Sequence, residues 1–234
     1  MQADGLRSWL KEVGALGELR EIEGADWDLE IGGIADLVTE MGNSPAVLFD
    51  GIKGYPKGYR MLINSLGSTR RLGLSLGIPP DLAPLEFVKE WRKKSRGLKL
   101  IPPRVVKEGP VLENVRRGKD VDLFSFPAPR WFELDGGRYI GTGSVNITRD
   151  PEEGWVNLGT ARVMVHDAKT VGFYIAPGRH GRIHREKAFA QGEPFKVAIS
   201  LGHDPLIFLA GALEIPYGVC EYDFVGGILG RPVE

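Results

Sequence analysis

The amino-acid sequence predicts an α+β protein in two parts, a half of mixed helices and strands followed by a strand-dominated half. Three observations carry that reading. Apolar residues recur at helical spacing, between short apolar runs of strand length, as far as about residue 96. Prolines then gather at 102, 103, 110, 127 and 129. From about residue 139, β-type segments alternate with turns rich in Asp, Pro and Gly. The boundary is placed between an N-terminal α/β domain, residues 1–112, and a second domain, residues 113–234.

Leu6, Trp9, Leu10 and Val13 fall at i, i+3, i+4 and i+7, which predicts a first helix ended by Gly14 and Gly17. A strand over Leu19–Ile22 follows. Leu29, Ile34, Leu37, Val38 and Met41 mark a second amphipathic helix, stopped by Gly42 and Asn43. Ala46–Phe49 and Met61–Asn64 read as strands. Ser68 or Thr69 caps a helix through Leu76, with Gly77 and Pro79-Pro80 as its stop. Residues 81–96 form another helix, opened by Asp81 or Pro84. Its basic run Arg92, Lys93, Lys94 reads as a solvated end favoured by the helix dipole.

Residues 98–135 read as an ordered connection. They lack Ser/Gly low complexity and carry Phe124, Phe126, Trp131 and Phe132. Beyond it, Ile140–Thr148, Trp155–Val165 and Val171–Ile175 predict a three-strand meander with turns at 150–154 and 167–169. A helix over Ile183–Ala190, a strand over Phe195–Leu201 and a helix capped by Asp204-Pro205 complete the reading. The 32 glycines lie among the strand-like segments, as expected where turns and close backbone approaches are many.

Composition excludes several functions. A net charge of −1 offers no broad basic field to nucleic acid or an anionic membrane. The lone Cys220 forbids an intrachain disulfide, argues against a Cys-based zinc site and fits a reducing cytoplasm. Acidic and basic residues interrupt the apolar pattern of the opening 14 residues, unlike a signal peptide. No apolar run approaches the ~20 residues that span a bilayer. A cytoplasmic protein is expected.

Several residues could carry chemistry. His180 and His184 are spaced i, i+4, but His180 sits in Pro177-Gly178-Arg179-His180-Gly181, read as a loop, which argues against a helical metal pair. That segment, with Arg182, suits either a phosphate cradle or an exposed turn. His203 reads as a polar residue at a helix entry. In the predicted strand Asn157–Arg162, Asn157, Gly159 and Ala161 share one face, where small residues let a flat group approach the backbone. Arg162 wants a partner, which a structural ion pair or a ligand would supply. Glu221, after a Pro/Gly turn, is expected to be solvated, with metal binding the lesser alternative.

Four segments carry a resemblance. Thr148–Arg162, TRDPEEGWVNLGTAR, is similar to a TRDPETGxxNxGxxR signature. Gly178–His184, Val197–Pro205 and Ile215–Tyr222 match further blocks in order, as do Leu6–Leu10, Gly17–Leu19 and Asn64–Ser68 near the start. The chain thus resembles UbiD-type decarboxylases, the 3-octaprenyl-4-hydroxybenzoate carboxy-lyase-like enzymes that use prenylated FMN.

The resemblance implies a small α/β domain followed by a split β-barrel that binds prenylated FMN. It implies a manganese or magnesium ion, with potassium as an additional ion. Asn157 and Glu221 would be metal ligands, and His180 a third, its register shared with Arg179. Thr160, Ala161 and Arg162, then Tyr174, Ile175 and Ala176, then Arg179 and His180 would contact the cofactor. Arg162 matches the arginine of a catalytic Glu–Arg–Glu network.

The implied reaction is reversible, non-oxidative decarboxylation of an aromatic or α,β-unsaturated acid. The implied partners are a small-molecule carboxylic acid, a flavin prenyltransferase that supplies the cofactor, and further copies of the chain in a homo-oligomer. By the resemblance, the family's two catalytic carboxylates and its C-terminal domain would lie beyond the equivalent of Glu234. The barrel is therefore expected to be incomplete and the chain inactive alone, unless a separate chain supplies the remainder. The alternative is a non-catalytic cofactor-binding or assembly subunit.

Overall fold

The computed structural model describes residues 5–234, so the first four residues of the opening segment lie outside the described residues. Helix α1 (Leu6–Ala15) buries Trp9, Leu10 and Val13 as their spacing requires. Strand β1 (Leu19–Glu23), helix α2 (Glu30–Glu40), β2 (Ala46–Asp50), β3 (Met61–Ile63), α3 (Thr69–Leu76) and α4 (Pro84–Arg96) follow in the predicted order. The sheet order is β1-β2-β3, with β1 parallel and β3 antiparallel to β2.

Central β2 is apolar on both faces because both are covered. Ala46 and Leu48 join Trp9 of α1, while Val47 and Phe49 join Ile31 and Val38 of α2. Ser68 caps α3 through Arg71 N at 3.2 Å, and Gly77 closes it in the left-handed region at φ 64°. Arg71 is fully buried, and each of its guanidinium nitrogens has a partner: Glu18 at 2.7 Å, Ser44 O at 2.8 Å and Ser65 O at 3.1 Å. Lys94 departs from the solvated end expected for its basic run. Its ammonium folds back to Leu76 O at 2.5 Å.

The proline-rich connection is ordered by three short 3-10 turns, at Pro110–Leu112, Gly118–Asp120 and Leu123–Ser125. It returns to α2 at Trp131, whose carbonyl approaches Gly32 so closely that a Cβ there would lie 1.8 Å from it.

The second half corrects the meander. The first predicted strand is two strands, β4 (Arg138–Gly141) and β5 (Val145–Arg149), and the second is also two, β6 (Val156–Gly159) and β7 (Val163–Val165). With β8 (Val171–Phe173) and β9 (Val197–Ser200) they form two open antiparallel sheets, ordered β4-β7-β8 and β6-β5-β9. The chain changes sheet at 142–144 and again at 160–162. Small residues (Thr142-Gly143-Ser144 and Thr160-Ala161) permit both bends. The class is therefore α+β as read, and two open sheets are compatible with a split barrel.

Helix α5 (His180–Ala190) starts three residues before its predicted start. Helix α6 (Pro205–Ala212) has Asp204 as its cap, bonded to Leu206 N at 2.8 Å. Helix α7 (Glu221–Leu229) was not foreseen. The largest apolar cluster joins Leu76, Ile78 and Phe87 to Val145 and Leu158 of the β5–β6 sheet, and to Leu206, Ala210, Val225 and Ile228 of α6 and α7. Paired glycines seat α7. A Cβ at Gly226 would lie 2.3 Å from Ile101 O, and one at Gly227 2.5 Å from Lys99 O, so the helix lies directly on the connection.

Candidate functional site

The two faces of the β5–β6 sheet differ in kind. Val145 and Leu158 point into the apolar cluster. The register pairs Asn146 with Gly159 and Thr148 with Asn157, so these four share the other face. Asn146, Thr148 and Asn157 are all buried although polar. This face forms one wall of a cleft of about 1050 Å³, the size of a cofactor or large-ligand site.

Every residue that the resemblance assigns to the site lines that cleft, while His184, His203 and Arg182 do not. Asn157 and Gly159 reach it from β6. Thr160, Ala161 and Arg162 come from the β6–β7 bend, not from mid-strand as expected, because the strand ends at Gly159. Ala161 therefore shares no strand face with Asn157. Tyr174, Ile175 and Ala176 follow the end of β8. Arg162 is exposed and forms no ion pair among the described residues, so the structural pairing considered for it is absent. It also borders an adjoining recess of about 300 Å³ walled by Trp131, Phe132 and Tyr139.

The histidine segment is corrected. Pro177-Gly178 is a turn, with Gly178 at φ 83°, but His180 is the first residue of α5. His180 and His184 are thus true i, i+4 neighbours on one helix. They do not converge on one point. His180 Nδ1 lies 3.2 Å from Asn157 Oδ1, while His184 is fully buried and sets its Nδ1 3.0 Å from Thr148 Oγ1. Gly181 lets the first turn of α5 rest on β5: a Cβ there would already touch Ile175 at 3.3 Å. Gly178, Arg179, His180 and Gly181 all border the cleft, with the positive end of α5 beside the guanidinium.

Glu221 overturns the expectation of a solvated acid. It is 2% exposed, because α7 brings it under β6, and its Oε2 accepts from Leu158 N at 2.7 Å. Burial pushes its carboxyl up to about 7, against the lowering effect of the Leu158 N–H. No cation partners it among the described residues.

A supporting network was not foreseen. Asn157 Nδ2 donates to Thr148 Oγ1 at 3.5 Å, and that hydroxyl also meets His184. Burial lowers the His184 pKa and favours the neutral ring, against the raising effect of Asp150. Its Nε2 faces Asp150 Oδ2 at 3.6 Å. Asp150 is buried and accepts from Glu152 N, Glu153 N, Lys187 Nζ and Tyr217 Oη, at 2.8 to 3.2 Å. Burial would raise its carboxyl, but these donors outweigh it and hold the group well below the usual range. Trp155 packs edge-on against His184 at 4.7 Å, Tyr217 at 5.1 Å and His180 at 5.6 Å, fixing all three rings. The run of Asp150 and Trp155 in one motif, with Lys187 a helix turn beyond His184, was the available signal.

No three His, Cys, Asp or Glu side chains converge among the described residues. A metal here would need the Asn157 amide oxygen, the Glu221 carboxylate and oxygens from a bound ligand. A buried carboxylate with no cation partner among the described residues, lining the same cleft as an amide oxygen and an imidazole, fits a hard divalent ion such as manganese or magnesium. The cationic helix start fits a phosphate.

A polar sheet face and a cationic helix start thus wall one cleft of an α+β scaffold, and Asn157 and Glu221 both line it. Comparison gives the family. Residues 10–91 match the 3-octaprenyl-4-hydroxybenzoate carboxy-lyase N-terminal domain and residues 104–234 its Rift-related domain. The chain belongs to the UbiD family. It is 36% identical over 216 residues to a pyrrole-2-carboxylic acid decarboxylase of Pseudomonas aeruginosa, covering 89% of this chain and 43% of that one. In structure it is similar to the closed form of Sedimentibacter hydroxybenzoicus vanillic acid decarboxylase, with TM-score 0.92 and 30% identity over 100% of this chain and 50% of that one. It is also similar to an evolved dimeric form of the UbiD-class enzyme HmfF from Pelotomaculum thermopropionicum in complex with prFMN. There the TM-score is 0.84 and the identity 25%, over 97% and 51% of the chains. The chain spans about half the length of the relatives it matches. No helix among the described residues is long and apolar enough to cross a membrane.

Proposed function

We propose that the cleft holds prenylated FMN and a divalent metal, and that the protein takes part in reversible non-oxidative decarboxylation of an aromatic or α,β-unsaturated acid. The observation that carries this reading is the buried polar face Asn146–Thr148–Asn157 beside the uncompensated Glu221 carboxylate. A core face would be apolar; this one is built for a polar ligand and a cation.

Arg179 and the first N–H groups of α5 would hold the flavin phosphate. Asn157 and Glu221, with His180 beside them, would hold manganese or magnesium against it; potassium is the further ion expected nearby. Thr160, Ala161 and Tyr174–Ala176 would line the cofactor. Bound prenylated FMN would supply an electron sink for the carbon losing carbon dioxide. Arg162, in no ion pair among the described residues, would bind and orient the substrate carboxylate. It cannot deliver the proton, since a guanidinium stays charged at working pH. The reading includes the division at 112/113, a cytoplasmic homo-oligomer and a flavin prenyltransferase as cofactor source.

Mass spectrometry of the small molecule released from natively purified protein tests the reading. The mass of prenylated FMN is expected when a flavin prenyltransferase is co-expressed. A different nucleotide, or none, would contradict it. Thr148→Val tests the support behind Asn157. Loss of the hydroxyl is expected to weaken Mn²⁺ binding to the FMN-loaded protein about tenfold, as outer-shell losses do. Titration followed by the Mn²⁺ electron paramagnetic resonance signal measures it.

A further inference from the structure

Asn146 is buried, at 4% exposed, and borders the cleft, yet its Oδ1 has no hydrogen-bond partner among the described residues. Its other amide atom is accounted for: Nδ2 donates to Ala161 O at 3.3 Å. That acceptor fixes the amide orientation, because turning the group over would set two carbonyl oxygens against each other. The free atom is therefore an acceptor. Across the strand pair stands Gly159, which has no side chain to cover it. A buried carbonyl left without a donor costs stability, so its retention facing a cleft calls for a ligand that supplies one.

We propose that Asn146 is a cofactor-positioning residue whose Oδ1 accepts a hydrogen bond from an N–H or O–H group of the flavin. This rests on the reading of the cleft as a flavin site. Phosphate oxygens are acceptors and cannot satisfy it. Asn146 lies two residues, about 7 Å, along β5 from Thr148, which packs against Gly181 in the first turn of α5, where the phosphate would sit. The donors available at that remove are the ribityl 2′-hydroxyl, the hydroxyl farthest from the phosphate, and the ring N3–H.

The test measures FMN affinity by flavin fluorescence, and melting of the flavin-free protein, for wild type, Asn146→Leu and Arg179→Ala. Asn146→Leu is expected to bind FMN about tenfold more weakly, the value of one good hydrogen bond. Without flavin it should melt close to wild type: the unpartnered Oδ1 is removed, and Ala161 O, which loses Nδ2, keeps Ser144 Oγ at 3.3 Å. Wild type should discriminate by a similar factor against either 2′-deoxy-FMN or 3-methyl-FMN, and the analogue that loses affinity identifies the donor. Asn146→Leu should not discriminate against that analogue. Unchanged FMN affinity in Asn146→Leu, while Arg179→Ala binds weakly, would overturn the role of Asn146 alone. Unchanged affinity in both variants would overturn the flavin site with it. Equal binding of FMN and both analogues by wild type would also overturn the inference, whatever the variants' folding.

Discussion

Glu221→Gln is expected to weaken FMN binding measured with Mn²⁺ by at least about 100-fold, since losing a charged ligand should exceed the 10–100-fold cost of losing an outer-shell partner. Gln keeps an acceptor for Leu158 N, now met by Oε2 at 2.7 Å, so β6 stays anchored to α7. It removes a carboxyl that burial has pushed up to about 7 and that nothing positive offsets. The flavin-free variant should therefore melt at or above the wild-type temperature, the pattern of a residue kept for binding at a cost in stability. Titrations with and without Mn²⁺ separate the roles. Unchanged Mn²⁺-dependent affinity combined with a lower melting temperature would make Glu221 a structural anchor for β6 and nothing more.

Asp150→Ala has the largest expected effect on folding, about 3 kcal/mol, because it leaves the donors around a buried charge unmatched. Asp150 ties the β5–β6 turn to Lys187 on α5 and to Tyr217 before α7, the three segments that carry Asn157, His180 and Glu221. Melting should fall by about 6–12 °C for a chain of this size. Asp150→Asn adds a pH signature. The folded pKa lies below the ordinary 3.8, so the charge stabilises the fold above about pH 4 and that contribution fades as pH falls through the folded value. The gap between wild type and Asp150→Asn should therefore narrow as pH drops from 5 towards 2. A gap independent of pH would mean that shape, not charge, holds the network.

Periodicity made the N-terminal half legible. Strand β2, helices α1 to α4 and the Ser68 and Gly77 caps follow from spacing and turn chemistry, since local signals and burial agree there. The second half was misread where one apolar run crosses between sheets. Ile140–Thr148 alternates without a break, and only Thr142-Gly143-Ser144 hints at the bend that splits it. Helix α7 was hidden by Gly226-Gly227, which weaken helix propensity but are required for the approach to Ile101 and Lys99. Its acids Glu221 and Asp223 at the start and Gly230 at the end were the readable signals.

The site residues came from motif resemblance, and the geometry unites all ten around one cleft. Burial was what the sequence could not supply. Nothing local distinguishes a solvated Glu221 from one carried under β6. Asn146 and Asp150 gain meaning only from partners 15 and 37 residues away.

The most direct test of the account is a crystal structure of the protein with FMN and Mn²⁺, using the anomalous signal of manganese to locate the ion. One peak is expected about 2.0–2.6 Å from Asn157 Oδ1, a Glu221 carboxylate oxygen and a flavin phosphate oxygen, the range of hard-cation oxygen sites. The phosphate should lie against the start of α5. A peak away from Asn157 and Glu221, or a phosphate remote from Arg179 and His180, would contradict it.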